Sequence, residues 1–163
     1  MVTPLKAADT KSSPSVVVQA ADFDAGAIVG AVRAGNPRVG AVASFVGLMR
    51  DNNDGQTVER MVLEHYAGMT EQSIEAIVEE AKQRWDLIEV RVVHRIGELE
   101  PGDQIVLVVV ASGHRGEAFA ACEFIMDYLK TRAPFWKKES TGEGSRWVES
   151  RTSDHDAAER WKR

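Results

Sequence analysis

Cysteine is almost missing from this chain. Cys122 is the only one in 163 residues, which excludes an intrachain disulfide and a multi-cysteine metal cluster and fits a reducing cytoplasm. Long apolar runs are missing too: the longest, Ile105 to Ala111, has the length of a strand and not of a membrane span. The opening Met1-Val2-Thr3-Pro4-Leu5-Lys6 lacks the apolar core of a secretory signal. The four histidines are scattered, with no His-x-x-x-His pair, so no metal site is expected. There is no Gly-x-Ser-x-Gly elbow, no lysine-bearing phosphate loop and no dinucleotide fingerprint, and nothing calls for a cofactor. A net charge of -5 argues against general nucleic-acid binding.

What is present suits one domain: the length is moderate, and 44% hydrophobic residues can fill a real core. The charge is uneven. Residues 1–129 hold 11 Lys+Arg against 19 Asp+Glu, whereas residues 130–163 hold 9 against 6. A basic end on an acidic body can concentrate a small anion or an acidic tail without making the whole surface adhesive.

Periodicity and turn chemistry predict the following organisation. Residues 1–14 form a disordered tail, 15–151 the domain, and 152–163 a polar tail or short helix. A β-prone run at Ser15–Gln19 precedes a helix over Asp24–Ala34, with Asp24 as N-cap and Gly35 as stop. Val39–Leu48 and Thr57–Tyr66 read as strands, which a loop over Asp51–Gly55 would join into a hairpin. Ile74, Ile77, Val78, Ala81 and Trp85 recur at helical spacing. Ile88–Ile96 and Gln104–Ala111 form a second hairpin around Pro101-Gly102. A third helix spans Glu117–Thr131, with Cys122 in its apolar stripe. The order implies an α+β single domain with a mixed or mainly antiparallel sheet and about three helices.

The chemistry concentrates in Lys130-Thr131-Arg132-Ala133-Pro134-Phe135-Trp136-Lys137-Lys138-Glu139, which carries four cations around a proline. Pro134 must end the preceding helix, so the cations are expected where helix gives way to loop. The mixture suits an anion site, with helix-end counter-charge from Lys130 and Arg132 as the lesser alternative. Ser112-Gly113-His114-Arg115-Gly116 leaves an apolar strand and opens a helix, a place where backbone N–H groups and an arginine can hold phosphate or carboxylate; a solvated His-Arg pair is the alternative. Arg50 closes a strand beside the polar loop, where a surface arginine is the default reading. His65 and His94 read as structural.

Several longer motifs occur in one order: Leu63-Glu64-His65-Tyr66-Ala67-Gly68-Met69-Thr70, His94-Arg95-Ile96-Gly97-Glu98-Leu99, Pro101-Gly102-Asp103, His114-Arg115, and Phe124-Ile125-Met126-Asp127-Tyr128-Leu129-Lys130. From about Gly40 to Arg151 the chain resembles the large, catalytic subunit of molybdopterin synthase. The resemblance implies an α/β-hammerhead type of fold. It also implies a sulfurtransferase that builds the dithiolene of molybdopterin on cyclic pyranopterin monophosphate (precursor Z). Sulfur would come from a small ubiquitin-like partner with a C-terminal Gly-Gly thiocarboxylate, in two successive deliveries. The assembly implied is a heterotetramer, a large-subunit homodimer with a small subunit at each end.

Carried over residue by residue, the resemblance implies Lys130 and Lys137 as catalytic lysines, and Arg50, His114, Arg115, Lys138, Glu139 and Arg151 as substrate-binding positions. It expects Lys130 beside the thiocarboxylate and Lys137 on the pterin side. The composition agrees: a cysteine on an apolar stripe is a poor sulfur carrier, and two anionic reactants need fixed positive charge more than a nucleophile. Two positions depart from the family pattern. Leu48 stands where a lysine is common, and Gly113 where alanine is expected. The competing reading is a non-catalytic module that uses its basic edge to bind a ubiquitin-like or acidic peptide tail.

Overall fold

The computed structural model describes residues 14–148 and 151–162, so the expected tail lies almost wholly outside the described residues. In chain order the elements are β1 (Val16–Gln19), α1 (Ala25–Arg33), β2 (Ala41–Leu48), β3 (Asn52–Asn53), β4 (Gln56–His65), α2 (Met69–Arg84), β5 (Leu87–Arg95), β6 (Gly97–Leu99), β7 (Gln104–Ser112), α3 (Arg115–Arg132), β8 (Phe135–Thr141), β9 (Gly144–Val148) and α4 (Thr152–Glu159), followed by a 3-10 turn over Arg160–Lys162. Asp24 caps α1 as expected, its carboxylate accepting the Ala27 N–H at 3.0 Å, and Gly35 just beyond the helix takes φ 69°.

One sheet runs β1-β5-β7-β2, parallel only between β1 and β5. Its central strand β7 is buried on both faces, which is why it reads as an unbroken apolar run. Val106, Val108 and Val110 point into the larger core beneath α2 and α3, while Leu107, Val109 and Ala111 point into a smaller one beneath α1. Phe124 and Ile125 of α3 and Ile74 of α2 are fully buried in the larger core. A second sheet runs β3-β4-β8-β9, with β6 also on β4. Its core is Met49, Val58, Met61, Leu63 and Leu99. Among the described residues no helix is long and apolar enough to cross a membrane.

The α+β class and the mixed sheet stand, with a fourth helix added where a tail or short helix was expected. Two strand expectations are corrected. β2 and β4 do not form a hairpin: β2 pairs with β7 and β4 with β8, so the Asp51–Gly55 loop carries the chain from one sheet to the other. The segment after Pro134 is not a loop but β8. The β5–β7 hairpin is present, with β6 inserted in its connection.

Candidate active site

Helix α3 ends as its sequence requires. Ala133 is extended ahead of Pro134, and β8 begins at the next residue. Thr70, fully buried, fixes this junction: its hydroxyl donates to the Pro134 carbonyl at 3.1 Å and accepts the Tyr66 N–H at 3.1 Å. Lys130 thus leaves the last turn of α3 next to a strand whose alternation sends Phe135, Lys137 and Glu139 to one face. On the opposite wall, the end of β2 is pinned by Met49 N–H to Asp103 O at 2.9 Å and Gly102 N–H to Met49 O at 2.8 Å, which sets the base of Arg50.

These elements enclose a cavity of about 810 Å³ whose lining includes Arg50, Asn53, Lys130, Lys137, Glu139 and Arg151. A smaller cavity of about 330 Å³ adjoins it, walled mainly by Phe45, Val46, Gly47, Ile105, Met126 and Leu129. Leu48, His94, Ile105, Leu129 and Lys130 line both. One chamber is therefore cationic, the other chiefly apolar, and Lys130 belongs to the wall they share.

Burial, and then the neighbouring Lys130 cation, hold the Lys137 ammonium below the usual lysine range; Glu139 opposes this. His94 is pushed down to about 4, chiefly by burial and further by the Lys130 and Lys137 charges. Its ring stacks on Phe135 with centroids 3.8 Å apart, and Nδ1 lies 2.8 Å from the Arg95 carbonyl oxygen. A carbonyl can only accept, so the neutral ring carries its proton on Nδ1 and keeps a lone pair on Nε2. Burial pushes the Cys122 thiol up to about 11, as expected for an unreactive cysteine in the helix stripe.

Glu139 is only 4% exposed, and its carboxylate is met by Asn53 Nδ2 at 2.9 and 3.1 Å and by an Arg146 nitrogen at 3.4 Å. Arg151 donates to Asn53 Oδ1 and lies 3.7 Å from the Asp54 carboxylate.

Of the positions singled out from sequence, Arg50, Lys130, Lys137, Glu139 and Arg151 converge on the larger cavity. Lys138 does not. Strand alternation turns it to the other face, where its ammonium lies 5.6 Å from the ring centre of its cross-strand partner Trp147. His114 and Arg115 are exposed at the start of α3, and the helix separates Arg115 from Lys130 by about 22 Å. Within one chain they cannot share that cavity. The Gly113 departure is sterically neutral, because a Cβ there would meet nothing closer than Arg38 O at 4.0 Å; its neighbour Gly40 is obligatory, since a Cβ would lie 2.1 Å from Gly113 O. Leu48 adds an apolar, 54% exposed side chain to both cavities. Sequence reasoning missed Asn53, Thr70 and the cavity position of His94. Asn53 looked like turn chemistry, and only its distant partners reveal more.

A family model described as MoaE protein matches residues 18–132. The molybdopterin synthase catalytic subunit of Ralstonia nicotianae is 64% identical over 148 residues, 91% of this chain and 84% of that protein. The solved structure of a molybdopterin biosynthesis MoaE protein from Burkholderia ambifaria is 53% identical, with a TM-score of 0.79 over 93% of this chain and 99% of that one. A molybdopterin synthase chain from Staphylococcus aureus, 31% identical, gives a TM-score of 0.74 over 82% and 95%. A match of this extent, in sequence and in structure, places the chain in the MoaE protein family of molybdopterin synthase catalytic subunits.

Proposed function

We propose that this enzyme of molybdopterin biosynthesis acts as a sulfurtransferase, moving sulfur from the C-terminal thiocarboxylate of a small ubiquitin-like partner onto cyclic pyranopterin monophosphate. The observation that carries the reading is the position of Lys130, in the wall between an apolar chamber and a cationic one. A Gly-Gly tail has no side chains and suits the smaller, chiefly apolar chamber, whose wall includes Gly47 and Leu129. The phosphate and pterin suit the larger chamber with Arg50, Lys137 and Arg151.

In this scheme Lys130 stabilises negative charge at the thiocarboxylate as sulfur leaves the carbonyl carbon and a water oxygen takes its place, so that the tail departs as a carboxylate. On the pterin each new C–S bond replaces a C–O bond, whose oxygen leaves as water or stays with the phosphate. Lys137, whose proton is held less firmly than in an ordinary lysine, accepts and returns protons on the pterin side. Two partner tails deliver the two sulfurs in turn. The working assembly is a cytoplasmic heterotetramer built on a homodimer. His114 and Arg115, too far from the cavity of their own chain, then bind substrate in the cavity of the second copy.

The test is reconstitution: purified chain, thiocarboxylated partner and precursor Z should yield molybdopterin. Lys130→Ala and Lys137→Ala should each lower kcat by about 10²- to 10³-fold, as expected when one preorganised electrostatic donor is lost. Full activity in both variants would overturn the site. Tight partner binding with no pterin conversion by the wild-type chain would favour the non-catalytic module instead.

A further inference from the structure

Asn53 is bound on three sides. Its Nδ2 donates to both Glu139 carboxylate oxygens at 2.9 and 3.1 Å, its Oδ1 accepts from the Arg151 guanidinium, and its backbone carbonyl accepts from Arg146 at 3.3 Å. The amide has one workable orientation, because a flip would set its oxygen against a carboxylate and its NH₂ against a guanidinium. Glu139 is buried on the strand that carries Lys137, while Arg151 begins the C-terminal segment ahead of α4. Asn53 is therefore the link between two chain segments, 86 and 98 residues away, whose side chains line the same cavity. Among the described residues the Arg151 guanidinium also meets Asp54, whose side chain is 75% exposed, and an ion pair of that kind constrains little. The Asp154 carboxylate accepts the Arg151 backbone N–H and leaves the guanidinium unaimed.

We infer that Asn53 is a positioning residue, which aims the Arg151 guanidinium into the cationic cavity by bracing it against buried Glu139. This rests on the reading of that cavity as the substrate site. Arg151 is a long side chain with many rotamers, and an arginine pre-set by a fixed acceptor loses less freedom when it grips an anion. Asn53 acts through ground-state capture of the substrate anion, so its loss falls on KM and not on kcat.

The experiment is steady-state kinetics on precursor Z in the reconstituted complex, for the wild type, Asn53→Ala, Arg151→Ala and the double variant. Asn53→Ala keeps the backbone bond from Arg146, so the segment retains its anchor. It should raise KM about tenfold, the size of one charge-assisted hydrogen bond, with kcat within about twofold of wild type. Arg151→Ala should raise KM at least as much, and adding Asn53→Ala to it should do nothing further. Asn53→Asp sets two carboxylates together and should be worse than Asn53→Ala. Asn53→Asp combined with Glu139→Gln restores a donor-acceptor pair and leaves an acceptor for Arg151, so it should bring KM back toward wild type. An Asn53→Ala effect that persists undiminished in the Arg151→Ala background would overturn the inference, as would a loss confined to kcat or no rescue by the paired exchange. Failure of the cavity reading looks different: Lys130→Ala and Lys137→Ala would then keep full activity whatever position 53 does.

Discussion

His94 sits against Phe135 with Nδ1–H committed to the Arg95 carbonyl, beside two ammonium groups that oppose its protonation. The sign of the pH effect follows. Folded His94 titrates near 4, below the usual 6.5, so between those values the unfolded chain binds more protons than the folded one. Its contribution to stability is full above pH 6.5 and is lost as pH falls toward 4, on the order of 3 kcal/mol across the window. His94→Phe, which keeps a ring for the stack, should flatten the acid limb of a urea-midpoint profile between pH 7 and pH 4. An acid limb as steep as that of the wild type would show that another group sets it. Cys122→Ala tests the opposite kind of residue. With the thiol buried and pushed up to about 11, the variant should retain full sulfur transfer while losing about 1 kcal/mol to the small cavity. Single residues were legible unevenly. Lys130 and Lys137 stand out as cations around a proline, and Cys122 as part of an apolar stripe. Asn53 sits in a run that reads as turn chemistry, and its partners lie 86 and 98 residues away.

At the scale of elements, legibility followed burial. Helices α2 and α3 each turn one apolar stripe to the larger core, and β7 meets core on both faces, so all three carry strong apolar patterns. β8 carries none. One face lines a polar cavity with Lys137 and Glu139, and the other presents Trp136 and Lys138, so no apolar alternation marks it as a strand. The pairing of β2 with β7 was equally hidden, since nothing local distinguishes a hairpin to β4 from a partner some sixty residues on. What joins the two lysine-bearing elements is the turn at Pro134, and Thr70 is its clamp. Thr70→Val has nearly the same shape but leaves the Tyr66 N–H and the Pro134 carbonyl without their partner, so it should cost about 2 kcal/mol by chemical denaturation. Because it lets the Lys130–Lys137 spacing drift, it should also lower kcat more than it changes partner affinity. A variant as stable and active as the wild type would mean that the turn holds by backbone geometry alone.

At the scale of the whole molecule, the acidic body and basic end resolve into one cationic cavity, yet three of the expected substrate-binding residues stand outside it: Lys138 on the far face of β8, and His114 and Arg115 at the start of α3. His114 and Arg115 open an 18-residue helix whose other end delivers Lys130. Helix rigidity is what separates them: no side-chain rotamer closes about 22 Å. A symmetric dimer offers a route, because a two-fold axis can carry the start of α3 in one copy to the cavity of the other. The arrangement predicts complementation between two defective chains. Lys137→Ala and Arg115→Ala, each poorly active alone, should regain activity when coexpressed with different tags and purified as the mixed dimer. The cavity with an intact Lys137 then receives its Arg115 from the other copy, so about one site in two is complete, and conversion should reach about half that of the wild-type dimer. If Arg115 instead serves its own chain, each mixed dimer has one cavity lacking Lys137 and one lacking Arg115, and mixing restores nothing. Activity of the mixed dimer, measured against each parent dimer at equal concentration, decides between the two arrangements.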